Sequence, residues 1–168
     1  PTLVSPHQRE NVRAWDGCLE ADGPSSVGER AAVEPGRGAE LLRRDPAEVA
    51  TPELTVVVPT LNEASNVPHL LRRVSRALRG IRYEVIIADD ASPDGTADVA
   101  ESLSNRFPVR VVRRTESPGL SAAIIDGLRS ARGRCLAVMD ADLQHDPAVL
   151  PGLLRRLATA DLAIGSRY

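Results

Sequence analysis

From Glu53 onward, short apolar runs rich in β-branched residues alternate with longer segments whose apolar residues recur every three to four positions. The short runs predict buried strands, and the longer segments predict amphipathic helices. Four helices alternate with five strands, which are predicted at 54–58, 83–88, 109–112, 135–139 and 162–164. This alternation, with right-handed crossovers, predicts a doubly wound α/β domain with a mainly parallel sheet.

Two boundaries in this pattern rest on single residues. Pro59 is expected to end the first strand, because proline has no N–H to donate to a ladder. The second helix is expected to begin at a cap formed by Asp94 or Thr96 and to run to about residue 105.

The first 52 residues have a different character. Glycine, proline and scattered acidic residues occur there without sustained periodicity. Such a low density of apolar residues does not offset the entropy lost on ordering the chain. We therefore predict a disordered or weakly ordered tail over 1–52 and one domain over 53–168.

Composition excludes several classes of function. The 168 residues carry a formal net charge of −2, without the basic excess of a nucleic-acid-binding protein. All 21 basic residues are arginine, so no lysine-dependent mechanism is available. No apolar stretch approaches the roughly 20 residues of a membrane-spanning helix. The start of the chain also lacks the basic-then-apolar pattern of an export signal.

Acidic residues follow three of the predicted strands. Glu63 comes after the first strand, Asp90 after the second, and Asp140 and Asp142 after the fourth. The carboxyl ends of strands in such a sheet share one edge, where ligands bind. Converging carboxylates repel each other unless a cation relieves the repulsion, and oxygen ligands suit Mg²⁺ or Mn²⁺. The alternative is that these acids form an ordinary polar loop or helix cap.

Two further features stay open at this level. His145 is either a catalytic group or a loop residue at the start of a helix. Arg113 and Arg114, which follow the third strand, are either phosphate ligands or a solvated pair.

Four motifs together carry a family resemblance. They occur in order and at regular spacing, as VVVPTLNE (56–63), IIADDASPDGT (86–96), MDADLQH (139–145) and GSRY (165–168). They resemble family 2 glycosyltransferases, and more narrowly the dolichol- or polyprenol-phosphate mannosyl synthases. The resemblance covers residues 54–168 and implies a glycosyltransferase A-type, Rossmann-like nucleotide-binding fold.

The resemblance also implies a role for individual residues. The nucleotide pocket would be lined by Pro59, Leu61 and Glu63, with Ala88 and Asp90 holding the base and ribose. The diphosphate and the metal would meet Asp140, Ala141, Asp142 and Gln144, of which Asp140, Asp142 and Gln144 would be the metal ligands. Asp142 and Arg167 would be catalytic, with Arg167 approaching the donor phosphates or sugar.

The activity implied is transfer of a sugar, expected to be mannose from GDP-mannose, to a polyprenyl or dolichyl phosphate. Mg²⁺ or Mn²⁺ would assist, and the anomeric configuration would invert. The acceptor implies a peripheral location at the cytoplasmic face of a membrane. Contact with that membrane would come through missing C-terminal sequence or a partner. Nucleic acid is not an expected partner.

Two departures from the family pattern stand out. Leu61 occupies a position where family members commonly have an aromatic residue, which implies weaker contacts with the nucleotide. The family also continues past the position of Tyr168 into an acceptor-side half. The resemblance therefore implies that this chain is a fragment.

Other functional classes are weighed against the transferase. A non-catalytic nucleotide-sugar-binding module or an inactive fragment of such an enzyme is the main alternative. A signalling receiver domain is disfavoured, because its acids follow different strands and it requires a lysine. A dinucleotide-dependent oxidoreductase is disfavoured because the first strand is not followed by a glycine fingerprint.

Overall fold

A computed structural model describes residues 2–4, 51–116 and 118–165. Six strands form one sheet in this part of the chain: β1 (Thr2–Val4), β2 (Leu54–Thr60), β3 (Tyr83–Asp89), β4 (Val109–Arg113), β5 (Cys135–Val138) and β6 (Leu162–Ile164). The helices are α1 (Val67–Ala77), α2 (Thr96–Ser102), α3 (Leu120–Arg129) and α4 (Leu150–Arg156), with a 3₁₀ turn at Pro147–Val149.

The strand order is β4-β3-β2-β5-β1-β6. The four strands β2, β3, β4 and β5 pair with one another in parallel. β1 lies between β5 and β6 and is antiparallel to both. The chain moves outward from β2 to β4 and then returns to place β5 on the other side of β2. This arrangement confirms the mainly parallel α/β sheet, and its topological switch point lies between β2 and β5.

Side chains of β2 alternate between the two faces of the sheet. Leu54, Val56 and Val58 join the main core, which also holds the buried face of α1. Val57 points the other way, towards α3. The fit there is close, because a Cβ atom added to Gly127 of α3 would lie 2.4 Å from Cγ1 of Val57. The period of two along a strand thus separates the two helical layers.

A polar network closes the amino-terminal edge of the sheet around the buried side chain of Glu84. Its carboxylate accepts hydrogen bonds from the Thr55 hydroxyl (2.8 Å), the Arg132 backbone N–H (2.6 Å) and the Arg110 guanidinium (3.1 Å). Burial alone would raise the pKa of Glu84, but these hydrogen bonds outweigh it and hold the pKa below its ordinary value.

Two predicted boundaries were wrong. β2 continues through Pro59 to Thr60, because β5 pairs with β2 only as far as Val57, so the missing N–H of Pro59 interrupts no ladder there. α2 ends at Ser102 rather than near residue 105. The Ser102 hydroxyl instead bonds the Val99 carbonyl, a competing local bond of the kind that weakens helices.

The N-terminal segment was predicted to be a disordered or weakly ordered tail over residues 1–52. Within it, Thr2–Val4 form β1, which pairs with β5 and β6. Residues 5–50 lie outside the described part of the chain, so the prediction for them stays a prediction.

Candidate functional site

Three loops meet at the carboxyl-terminal edge of the sheet, after β2, β3 and β5. The register pairs Thr60 with Asp89 and Val57 with Val138, so these strands end on the same side. β2 lies between β3 and β5, which places the two outer strands about 10 Å apart. Asp90 and Asp142 therefore follow strand ends at one edge of the sheet, as the sequence predicted.

Each of these loops contains one non-glycine residue with a left-handed backbone. They are Asn62 (φ 60°), Ala91 (φ 53°) and Leu143 (φ 64°). The left-handed region is unfavourable for residues with a Cβ atom, by about 1 kcal/mol or more for alanine and leucine. No other non-glycine residue in the described ranges has a positive φ. Backbone strain is thus concentrated at this edge, as is common at functional sites.

The loops after β2 and β3 are joined by hydrogen bonds. The backbone N–H of Ala64 donates to Asp94 Oδ2 (3.0 Å), and that of Glu63 donates to the Thr96 hydroxyl (2.9 Å). The Thr96 hydroxyl in turn donates to Asp94 Oδ1 (2.5 Å). The hydrogen bonds from Thr96 and Ala64 hold the pKa of Asp94 below its ordinary value. Asp94 therefore fixes the loop that carries Glu63. The predicted cap of α2 by Asp94 or Thr96 was wrong, because the N-cap residue is Gly95, which forms no side-chain cap.

The paired aspartates after β3 have different roles. Asp89 is buried and accepts hydrogen bonds from the Thr60 hydroxyl (2.9 Å) and from the backbone and hydroxyl of Ser92 (3.0 and 2.6 Å). It is therefore a structural residue of the turn. The carboxylate of its neighbour Asp90 instead accepts hydrogen bonds from Arg114 and from the backbone N–H of Gly119. The residue pattern alone did not separate these two carboxylates, whereas the family resemblance gave a role to Asp90 only.

Arg114 is a buried arginine held by two carboxylates. Its Nη1 donates to Asp90 Oδ1, and its Nε donates to Asp126 Oδ2 of α3 (2.8 Å). The second oxygen of Asp90 accepts the backbone N–H of Gly119 (2.5 Å). Both oxygens of Asp90 thus have a protein donor, which keeps the carboxylate in one orientation.

The two basic residues after β4 also separate. Arg113 is exposed and pairs with Asp98 (2.5 Å) and Glu101 (2.9 Å) of α2. The hydrogen bonds that Arg113 donates to Glu101 and Asp98 raise the pKa of Arg113 above its ordinary value. Arg113 and Arg114 are therefore not a solvated pair, because carboxylates hold both guanidinium groups and Arg114 is buried. Binding of phosphate by either residue stays a prediction.

The loop after β5 presents two carboxylates to solvent. Asp140 and Asp142 are exposed, and Ala141 between them is buried. The backbone N–H of Gln144 donates to Asp142 Oδ1 (3.0 Å). Arg73 of α1 anchors the loop through the Leu143 carbonyl (3.0 Å).

His145 lies beside the same loop. Its Nδ1 is 3.5 Å from Asp140 Oδ2, without hydrogen-bond geometry, and is buried with no hydrogen-bond partner among the described residues. The His145 ring is therefore close to Asp140 but makes no hydrogen bond to it.

A divalent cation fits the donor chemistry of this loop in part. Within residues 2–4, 51–116 and 118–165, no three histidine, cysteine or acidic side chains form a cluster that could hold a metal by themselves. Mg²⁺ usually takes one or two carboxylates and completes its shell with water and substrate phosphates. Asp140 and Asp142 match such a partial ligand set, and the predicted third ligand Gln144 lies exposed beside them.

The other predicted site residues differ in their accessibility. Leu61 is 58% exposed and Glu63 is half-buried, whereas Ala88 is fully buried in β3 beside Gly127. Pro59 is buried in β2, directly opposite Ala88 in the register. Ala88 therefore offers no side-chain surface to a ligand in this structure. Arg167 lies outside the described residues.

Comparison with known proteins decides the family. A family model described as glycosyl transferase family 2 matches residues 55–168. The chain belongs to glycosyl transferase family 2. This glycosyltransferase is 47% identical over 117 residues to a dolichol-phosphate mannosyltransferase of Pyrococcus furiosus, covering 69% of this chain and 33% of that protein.

A second relative gives a similar result. The polyprenol monophosphomannose synthase of Mycolicibacterium smegmatis is 40% identical over 141 residues, covering 80% of this chain and 52% of the relative. This family 2 glycosyltransferase thus spans about a third to a half of the length of the curated relatives it matches.

A solved structure matches the fold. Mannosyl-3-phosphoglycerate synthase from Rubrobacter xylanophilus superposes with a TM-score of 0.55 at 22% identity, covering 68% of this glycosyltransferase and 38% of that chain. The likeness concerns the fold alone, and it agrees with the predicted glycosyltransferase A-type architecture.

Proposed function

We propose that this chain forms the donor-binding part of an enzyme that transfers mannose from GDP-mannose to a polyprenyl or dolichyl phosphate. Relatives named as a dolichol-phosphate mannosyltransferase and a polyprenol monophosphomannose synthase support this choice. The single observation that carries the proposal is the common edge shared by the clamped Asp90 and the exposed Asp140 and Asp142.

In the proposed complex, the base and ribose bind beside Asp90, next to the loop that follows β2. The hydrogen bonds from Ala64 and Glu63 to the Asp94–Thr96 turn fix that loop, so Glu63 and Leu61 are in place before the donor binds. Leu61 supplies an exposed apolar surface to the nucleoside, without the stacking of an aromatic ring. The diphosphate then extends over the loop after β5.

Asp140 and Asp142 would hold Mg²⁺ or Mn²⁺ together with donor phosphate oxygens, with Gln144 as a third ligand. When bound, the ion supplies positive charge opposite the leaving diphosphate. Arg167 would approach the donor phosphates or sugar. The protein contributes fixed ligand positions, because the Gln144 N–H bond and the Arg73 contact hold the loop.

Transfer is proposed as a single displacement. An oxygen of the acceptor phosphate forms a bond to the anomeric carbon while the bond from that carbon to the donor β-phosphate oxygen breaks. Nucleoside diphosphate leaves, and the configuration inverts. A phosphate monoester has a second pKa near 6 and is largely dianionic at neutral pH, so the acceptor needs no general base.

The location proposed is the cytoplasmic face of a membrane, where a lipid-linked acceptor lies. No helix in the described ranges is long and apolar enough to cross a bilayer. Contact with the membrane would then be made by sequence beyond this chain or by a partner protein. Nucleic acid is not a proposed partner.

A non-catalytic donor-binding module is the second candidate. It is favoured by the length of the chain, which covers 33% and 52% of the two relatives above. Residues that bind the acceptor would then belong to another part of the protein.

Calorimetry on this chain tests both candidates. GDP-mannose should bind in the presence of Mn²⁺ at least about tenfold more tightly than UDP-glucose or UDP-N-acetylglucosamine. Transfer of radiolabelled mannose to polyprenyl phosphate, measured by partition into organic solvent, supports the enzyme. Metal-dependent binding without transfer supports the module. Absence of nucleotide-sugar binding contradicts both.

A further inference from the structure

Arg114 is one of the most deeply buried charged side chains at the carboxyl-terminal edge of the sheet. Only 3% of its side-chain surface is exposed, against 49% for its neighbour Arg113. A buried guanidinium is costly unless it is paired and hydrogen-bonded. Two carboxylates, from Asp90 and Asp126, meet this requirement.

These contacts join the ends of β3 and β4 to the start and the middle of α3. Asp90 follows β3, Arg114 follows β4, Gly119 precedes α3, and Asp126 lies within α3. The backbone N–H of Arg114 also donates to the Asp89 carbonyl (2.9 Å). The orientation of the Asp90 carboxylate therefore depends on Arg114, which is itself anchored from the opposite side by Asp126.

We propose that Arg114 is a positioning residue that sets which nucleobase the donor site accepts. The proposal rests on the proposed function, in which Asp90 contacts the base. A carboxylate oxygen has about two lone-pair sites, and each oxygen of Asp90 uses one for a protein donor. The carboxylate that Arg114 orients therefore keeps one acceptor site per oxygen, and 10% of the Asp90 side-chain surface is exposed.

The chemistry of the bases makes such a site selective. Guanine presents two adjacent N–H donors, at N1 and at its 2-amino group, which match a carboxylate held in one orientation. Uracil presents one N–H flanked by two carbonyl oxygens, which the carboxylate repels. Hypoxanthine keeps the N1–H of guanine and lacks the amino group. A carboxylate free to rotate would lose part of this distinction.

Arg114→Lys retains the charge but cannot make the two divergent bonds to Asp90 and Asp126, because an ammonium lacks the planar fork of a guanidinium. We expect the preference for GDP over UDP to fall by about tenfold or more, the usual range for a bidentate base contact. The affinity for UDP should change less than about twofold. The preference for GDP over IDP should fall in the same direction.

Calorimetric titration of the 168-residue chain with GDP, IDP and UDP measures these ratios. Arg113→Lys is the matched control, since Arg113 contacts Asp98 and Glu101 on the exposed side of α2. It should leave all three affinities unchanged. Asp126→Asn removes the charge of the second anchor and should reduce the GDP preference less than Arg114→Lys does. It also provides the test if Arg114→Lys fails to fold by circular dichroism.

Several outcomes would overturn the proposal. One is an equal loss of GDP and UDP affinity, which would indicate a purely structural role. Others are an unchanged ratio in both Arg114→Lys and Asp126→Asn, or a parent chain that shows no preference for GDP. Asp90→Asn separates the two levels of inference. Unchanged GDP affinity in Asp90→Asn refutes the proposed donor site itself. If Asp90→Asn binds GDP more weakly but Arg114→Lys keeps the parent preference for GDP over UDP, only the role of Arg114 is refuted.

Discussion

The two edges of the sheet both place a carboxylate against an arginine, and they differ in what surrounds the pair. At the amino-terminal edge, Glu84 is enclosed by donors from Thr55, Arg110 and Arg132. At the carboxyl-terminal edge, Asp90 is clamped in a similar way, but Asp140 and Asp142 nearby stay exposed. One edge is thus closed, and the other keeps acceptor groups available for a ligand.

Backbone geometry follows the same division. The three left-handed non-glycine residues of the described ranges all lie in loops at the carboxyl-terminal edge. The amino-terminal edge instead contains Gly133, whose backbone N–H donates to the Thr55 hydroxyl (2.7 Å) in close contact with β2. The closed polar network and the proposed donor site therefore lie at opposite ends of the same strands.

The largest effect on this comparison is expected from Gly133→Ala. The added Cβ atom would lie 2.4 Å from the backbone nitrogen of Thr55, and a backbone atom in a central strand cannot move aside. We expect a loss of about 3 kcal/mol in the free energy of unfolding, measured by urea denaturation. Gly152→Ala is the control, because its nearest atom, Arg155 Nη2, would be 3.9 Å away. An equal loss in both variants would contradict the account of the closed edge.

Asp142→Ala should separate binding from stability at the open edge. With Mn²⁺ present, we expect the Kd for GDP-mannose to rise about a hundredfold, since a proposed metal ligand is lost. The free energy of unfolding should change by less than about 0.5 kcal/mol, because the side chain is exposed. Calorimetry and urea denaturation measure the two quantities. Asp161→Ala removes the same charge from an exposed position before β6 and should alter neither.

Glu84→Gln should destabilise the fold by about 2 kcal/mol, because charge-assisted hydrogen bonds to a buried group are lost. Urea denaturation at neutral pH measures this. The control Glu53→Gln removes a partly exposed pair with Arg82 (3.4 Å) and should cost no more than about 0.5 kcal/mol.

The pH dependence sharpens this prediction. The pKa of Glu84 is lower in the folded protein than its ordinary value of 4.5, so the folded state favours the ionised form. The resulting stability is fully present above about pH 4.5 and is lost as the pH falls through the folded pKa. The difference between the parent chain and Glu84→Gln should therefore shrink on acidification. A difference in free energy of unfolding between the two proteins that stays constant from pH 6 to pH 3 would contradict a stabilising role of the ionised Glu84.

Ala91→Gly should give the smallest effect. Ala91 is exposed and has a φ of 53°, so glycine would relieve backbone strain without loss of packing. We expect a gain of up to about 1 kcal/mol in thermal denaturation. Ala64→Gly, at a position without a positive φ, should instead lose stability. Destabilisation by both substitutions would show that the strain at this edge is not stored at Ala91.

Much of the fold was predictable from local pattern. The apolar runs of β2 and β3 are buried on both faces, and continuous β-branched runs of this length indicate parallel strands. The boundaries at Pro59 and Ser102 were not predictable, because they depend on where a neighbouring strand ends and on competing side-chain bonds. Neither is visible in the residues themselves. The pairing of Thr2–Val4 with β5 is more distant still, since it joins segments more than 130 residues apart.

The candidate site was predictable in outline only. The position of Asp90, Asp140 and Asp142 at one edge follows from strand direction alone. The division of labour between Asp89 and Asp90, and between Arg113 and Arg114, depends on which donors converge from other loops. One signal was available. Arg113 and Arg114 are consecutive residues at the end of β4, and successive side chains of an extended chain point to opposite sides.

The short strand β1 has a consequence for how this protein would be handled. β1 lies between β5 and β6 and pairs with both strands. Removal of the first four residues would therefore leave β5 and β6 each with an unpaired backbone edge. Unpaired edges recruit strands from other chains. Deletion of Thr2–Val4 would therefore favour self-association and aggregation.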